Sequence, residues 1–256
     1  MGSEMDDDRP AFGADTFVAE PASGRVFRAS RRVSVDDANA AGRMESDSIA
    51  RFLQDIGNDD TDDAGLAELG LAWVARRMAI EVTTPARSRE LIDLSTWCSG
   101  TGARWAERRT KLRGEHGASI DAVAVWIHLN PETGRPERWR EEFSDLYLEP
   151  AQGRRVDAKL RHDKVPPEDA TRHPWNFRRT DVDGFGHVNN AAYLALAEQY
   201  LDEQLLAGPH RIEIEWRTPS QDADDLVVAV SFDRRQLWLL DQADDELRVT
   251  IAARTS

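Results

Sequence analysis

Asp181-Val-Asp-Gly-Phe-Gly-His-Val-Asn-Asn190, followed by the apolar run Ala191 to Leu201, is the stretch on which the reading of this chain turns. It sets two acids, two glycines, a histidine and two asparagines just ahead of a segment that is apolar on nearly every side. Glycine admits tight, left-handed turns that other residues resist. A helix start presents unpaired amide N–H groups and the positive end of a dipole. Asp183 and His187 stand beside that start, a carboxylate and an imidazole suited to acid–base work. Asn189 and Asn190 suit capping and turn roles.

A weaker copy of the stretch lies upstream, at Val35-Asp-Asp-Ala-Asn-Ala-Ala-Gly-Arg-Met44. Gly42 matches Gly186, Arg43 matches His187 and Ile49 matches Tyr193. A related strand follows each copy: Ile80-Glu-Val-Thr-Thr-Pro85 in the first half and Ile214-Glu-Trp-Arg-Thr-Pro219 in the second. Motif, helix, strand and proline recurring in one order point to a duplicated fold. The equivalent helices are expected over about 46–56 and 190–205. Asn39 and Arg43 stand where the second copy has its acid and histidine, so the first copy reads as structural and one working site per chain is expected.

The predicted organisation is residues 16–143 as a first repeat, 144–172 as a linker and 173–256 as a second repeat. The first repeat opens with a strand around Arg25 to Val35. Gly57 is a plausible residue just past its helix, and Asn58-Asp-Asp-Thr-Asp-Asp63 reads as a solvated acidic loop. That loop lacks the glycine and final glutamate of a calcium loop. Strands are expected at Trp73 to Val82, Leu91 to Cys98, Ala103 to Leu112 and Ala118 to Leu129, the last alternating strictly. The linker is polar, with Pro150, Pro166 and Pro167, and has room for one short helix. Strands then recur at His173 to Phe177, His210 to Trp216, Leu226 to Phe232, Gln236 to Leu240 and Glu246 to Ala252. Their short connections predict antiparallel pairing. The fold class is therefore α+β, a long helix on an antiparallel sheet, twice.

Composition narrows the functions open to such a fold. A net charge of −14 over 256 residues argues against nucleic acid, whose binding rests on a basic surface. No run of about 18 apolar residues predicts a membrane span. The acidic start, Met1 to Arg9, is no secretory signal, and the single cysteine, Cys98, suits a reducing, cytoplasmic setting. The sequence has no G-x-S-x-G, H-E-x-x-H, C-x-x-C or phosphate loop, which removes the usual serine-hydrolase and zinc routes. His187 has no partner at metal spacing, and no metal or other cofactor is expected.

Asp181-x-Asp183-x-x-Gly186-His187-Val188-Asn189-Asn190-x-x-Tyr193 resembles the signature of hotdog-fold thioesterases. With the duplication and the linker, the chain resembles the acyl-ACP thioesterases, which are tandem (double) hotdogs. Ser48-Ile-Ala-Arg-Phe-Leu-Gln-Asp-Ile-Gly57, Trp73-Val-Ala-Arg-Arg-Met-Ala-Ile-Glu-Val82 and Ile212-Glu-Ile-Glu-Trp-Arg217 carry the same resemblance, over about 26–228. Three positions depart from the family pattern. Phe185 replaces an Asn, and Pro219 and Ser220 replace a Glu and a Cys.

The resemblance implies hydrolysis of a fatty acyl thioester held on acyl carrier protein. Asp183 would act on water or on the carbonyl, with His187 beside it. Backbone N–H groups around His187 and Val188 would hold the oxyanion, and Asn189 would shape the loop. Phe52, Ile56, Trp73, Met78 and Phe185 are the candidate lining of an acyl slot. Arg76, Arg77, Arg178 and Arg179 are candidate contacts for the carrier or its phosphopantetheine. A homodimer is allowed. Two alternatives stay open: an acyl-CoA thioesterase using the same site, and an acyl-binding hotdog protein whose catalysis has lapsed.

Overall fold

The computed structural model describes residues 17–66, 72–139, 141–184 and 186–256. The acidic start Met1 to Arg9 and the candidate lining residue Phe185 lie outside them. Ten strands form one antiparallel sheet: β1 (Phe27–Arg32), β2 (Ala72–Thr84), β3 (Leu91–Thr101), β4 (Trp105–Gly114), β5 (Ser119–Leu129), β6 (Thr171–Trp175), β7 (His210–Trp216), β8 (Leu226–Val230), β9 (Gln236–Asp241) and β10 (Leu247–Thr255). Their order across the sheet is β1-β3-β4-β5-β2-β7-β10-β9-β8-β6. Numbered within each half, the second half repeats the order of the first in reverse, so the halves meet through their second strands. There Met78 pairs with Ile214 and Ile80 with Ile212. All four are buried in one apolar core shared by both halves. The outer strands are built for edges. β6 carries Pro174, which can donate no ladder hydrogen bond, and β1 carries Arg28, Arg31 and Arg32.

Four helices accompany the sheet: α1 (Ser46–Asp63), α2 (Glu141–Ala151), α3 (Ala195–Tyr200) and α4 (Glu203–Ala207). Helix α1 packs Ile49, Phe52, Leu53 and Ile56 into the core, the three-to-four spacing of an amphipathic helix. It does not stop at Gly57. It runs on through Asn58 to Asp63, so the expected acidic loop is its last turns. Asp60 is the reason. It is 1% exposed and accepts from Arg25 Nε at 2.7 Å, Arg108 Nη1 at 2.7 Å and Tyr147 Oη at 3.0 Å. A carboxylate with three such donors is held in the interior, whatever the polarity of its neighbours.

The second-half helix is not the single long one expected. A 3-10 turn at Ala192–Leu194 leads into α3, which ends at Leu201 in extended backbone. Asp202 then caps α4, its carboxylate accepting from Leu205 N at 2.9 Å. The expected linker helix is α2, which straddles position 143 and packs on β3. Beyond it the chain crosses the face of the sheet opposite the helices. The buried Glu215 of β7 accepts there from Arg161 N and from His162 N at 3.2 Å. Arg77 donates to Asp157 Oδ1 at 3.0 Å and to Asp157 O at 2.8 Å. No described helix is long and apolar enough to cross a membrane.

Candidate active site

The motif folds as a closed turn. Asp181 ends a 3-10 turn that begins at Arg179. Val182 and Val188 form a β-bridge, Asp183 N donates to His187 O at 2.9 Å, and Gly186 N donates to Asp183 O at 3.0 Å. Gly186 takes φ +79°, a region closed to most side chains. Asp183 and His187 are therefore paired through their backbones across a turn that the glycine closes. His187 is exposed and Asp183 half-buried. The turn is anchored from below. Val188 N donates to Ser220 O at 2.9 Å, Ser220 N to Tyr193 Oη at 2.9 Å, and Asn189 N to Asp181 O at 2.8 Å. Asn189 Oδ1 accepts from Ala191 N at 2.9 Å, a local side-chain turn of the kind asparagine favours.

The first-half copy has the same bonds at the same positions. Asn39 N donates to Arg43 O at 2.9 Å, Gly42 N to Asn39 O at 2.8 Å, Met44 N to Ala86 O at 2.9 Å and Glu45 N to Asp37 O at 2.9 Å. Gly42 has φ +74°. Its chemistry differs. Arg43, buried, makes a two-pronged ion pair with Glu198 of α3, with Nη1 to Oε1 at 3.2 Å. Glu198 Oε1 also accepts from Ser46 N at 2.8 Å and Ser46 Oγ at 2.6 Å. Burial works to raise the Glu198 carboxyl, but the bonds and charge from Arg43, with those from Ser46, hold it below the usual carboxylate range. The first-half turn is thus closed by a carboxylate from the second half. Nothing in the local sequence marked Glu198, because its partners are more than 150 positions away.

Several candidate residues fall elsewhere than expected. The Val188 N–H is donated to Ser220 O and the Asn189 N–H to Asp181 O, so neither is free for an oxyanion. Arg77 is 0% exposed and bound to the crossing segment on the opposite face, which removes it as a docking contact. Arg76 is half-buried and donates to Trp216 O at 3.2 Å. Arg178 is exposed but holds Asp181 at 2.7 Å, so it supports the base of the motif turn. Arg179 is exposed. Phe52, Ile56 and Met78 share the main core. Trp73 lies apart from them, against Phe143 and His128 in the smaller cluster beneath α2.

Comparison with known proteins bears on the whole chain. The acyl-ACP thioesterase N-terminal domain matches residues 24–147 and the C-terminal domain of the same family matches residues 164–250. The uncharacterized protein Rv2001 of Mycobacterium tuberculosis is 30% identical over 83% of this chain and 85% of its own length. Oleoyl-acyl carrier protein thioesterase 1 of Arabidopsis thaliana, a chloroplastic protein, is 24% identical over 70% of this chain, which spans 56% of it. Among solved structures, an acyl-ACP thioesterase from Bacteroides thetaiotaomicron superposes with a TM-score of 0.72 at 15% identity, covering 90% of this chain and 98% of that one. The 12:0-ACP thioesterase of Umbellularia californica gives 0.71 at 18%, with the same coverage.

Proposed function

The chain belongs to the acyl-ACP thioesterase family, and from that membership we propose that it hydrolyses the thioester of a fatty acyl-ACP to the free fatty acid. The supporting observation is the glycine-closed turn that sets Asp183 against His187. In this reading Asp183 takes a proton from water as the water oxygen attacks the thioester carbonyl carbon. The carbonyl π electrons move to oxygen, then return as the C–S bond breaks. The sulfur leaves as thiolate and takes up the proton, and His187 orients the exchange or donates. The architecture in this reading is a tandem hotdog of residues 16–143 and 173–256 joined by 144–172. The reversed strand order and the matching turn bonds in both halves support it. The first repeat holds the acyl chain. The buried, unpaired thiol of Cys98 fits a reducing compartment, and the reading places the enzyme in the cytoplasm.

The test is a thiol-release assay with acyl-ACP and acyl-CoA of several chain lengths, on the wild type and on Asp183→Asn. Loss of a general base costs about tenfold at the least, with the melting curve unchanged. Near-normal turnover by folded Asp183→Asn removes Asp183 from the mechanism. A second reading, acyl-CoA as the substrate, is favoured by the net charge of −14, since acyl carrier protein is itself acidic. A higher kcat/KM for acyl-CoA than for the matching acyl-ACP decides for it.

A further inference from the structure

The first half of the molecule shows what a residue at one helix position does to the opposite motif turn. Glu198 of α3 reaches across to the first-half turn and accepts from Ser46 N, Ser46 Oγ and Arg43. Gly42 with Gly186, Arg43 with His187 and Ile49 with Tyr193 fix the equivalence between the halves. By that register Asn190 stands for Ser46, and Gln54 of α1 stands for Glu198. Burial agrees at five equivalent pairs: Ile49, Ala50, Phe52 and Leu53 are buried, as are Tyr193, Leu194, Leu196 and Ala197, while Gln54 and Glu198 are both intermediate. Helix α1 packs on α3 and on the 3-10 turn ahead of it, so the exchange of helices between halves is reciprocal.

The charged residues of the second motif turn also feel this stripe of α1. Beyond burial and their own ion pair, Arg178 feels the charge of Asp47 and Asp181 that of Arg51. Asp47 and Arg51 are one helical turn apart and bonded to each other at 2.7 Å. Gln54 is the next residue down that face. Its amide makes no hydrogen bond to the described residues, whereas Glu198 makes four.

We propose that Gln54, from the first half, is a catalytic residue of the second-half site, its Nε2–H donating to the thioester carbonyl oxygen as that oxygen becomes an oxyanion. This rests on the hydrolase reading above. The difference between the halves follows from charge. A carboxylate at this position fills its turn and pairs with Arg43. A neutral amide, which by the same register takes the place of that carboxylate over the second turn, pairs with no charge and keeps a donor for the substrate. With the Val188 N–H committed to Ser220 O and the Asn189 N–H to Asp181 O, the opposite helix adds a donor that these two groups do not supply.

The experiment measures kcat and KM for lauroyl-ACP and oleoyl-ACP thiol release in Gln54→Leu, Gln54→Glu and, as a control, Glu198→Gln. Removing one oxyanion donor lowers kcat by about 10², so Gln54→Leu should show that loss with KM within about twofold and an unchanged melting temperature. Gln54→Glu should be slow at neutral pH, and its rate relative to wild type should climb as pH falls and the carboxyl regains a proton to donate. Glu198→Gln should melt lower and keep its kcat. Wild-type turnover in Gln54→Leu overturns the proposal. So does a Gln54→Glu rate that keeps a fixed ratio to wild type at every pH, because a structural role predicts no protonation dependence. A wild type that cleaves no acyl-ACP or acyl-CoA overturns the hydrolase reading, and the role of Gln54 falls with it.

Discussion

Asp60→Ala is the sharpest test of how the fold is held, because the sequence around it says that it should not matter. Asp60 and Asp62 sit two residues apart in the same acidic string, yet Asp62 is exposed and Asp60 is 1% exposed. Truncating Asp60 removes the carboxylate that Arg108 Nη1 and Arg25 Nε each meet at 2.7 Å, and the acceptor of Tyr147 Oη at 3.0 Å. Arg25 keeps Asp63 at 2.6 Å. Arg108 keeps only Thr96 Oγ1 at 3.3 Å and loses its carboxylate. Stranding a fully buried charge costs about 3–5 kcal/mol. Both arginine side chains are 20% exposed, and water reaching them places the expected loss near the low end, about 3 kcal/mol. For a chain of this size that is roughly 10 °C in melting temperature. Asp62→Ala, on the solvent face, should change stability by less than about 0.5 kcal/mol. Urea and thermal unfolding followed by circular dichroism measure both. If the two variants unfold together, the buried cluster does not hold the end of α1 to β4 and α2, and the argument from its geometry fails.

Two further outcomes are expected. Glu198 is held below the usual carboxylate range, so its stabilisation is present above the unfolded-state value of about 4.3 and is lost as pH falls through the lower folded value. The melting-temperature gap between wild type and Glu198→Gln should be widest near neutrality and shrink below about pH 4; a gap constant with pH contradicts the pairing. Arg179→Glu should raise KM for acyl-ACP more than for a short uncharged thioester, with the difference fading in high salt as screening shortens. Equal loss on both substrates assigns Arg179 to the loop rather than to a carrier surface.

The parts of the structure that were legible in the sequence are those written in local pattern. Alternation located the strands, β5 most clearly, and the repeated motif revealed that the second turn copies the first down to its backbone bonds. Gly186 and Gly42 declared their left-handed backbone by being glycine. What was not legible depends on partners far along the chain. Gly57 and six polar residues read as a helix end because local propensity says so, while Arg25, Arg108 and Tyr147, supplied by other elements, keep them helical. Arg77 reads as a surface arginine until the crossing segment covers it. The break after α3 was readable in principle. Asp202 followed by Glu203 is a capping signal just past the apolar run Ala191 to Leu201 and inside the expected helix over 190–205, and Leu205 and Leu206 beyond it mask the break.

The two turns share backbone, anchoring and glycine, so the side chains alone decide that one is a candidate site and the other is closed. Their differences come in matched sets. The first turn carries Arg43 and receives Glu198, two charges that neutralise each other and satisfy Ser46. The second carries His187, which is exposed, and in the proposed register Gln54 takes the place of Glu198, so neither side chain needs a fixed countercharge. Mixed sets would be worse than either. A histidine in place of Arg43 would leave the Glu198 carboxylate without its ion pair, and a glutamate in place of Gln54 would, by the register between the halves, put a carboxylate where the second turn has His187 and no arginine to pair it. In a duplicated sheet whose halves lend each other a helix, a change in one turn therefore constrains the helix of the other half. One turn could be closed as a structural joint only by fixing residues on the helix of the half that keeps the other turn open.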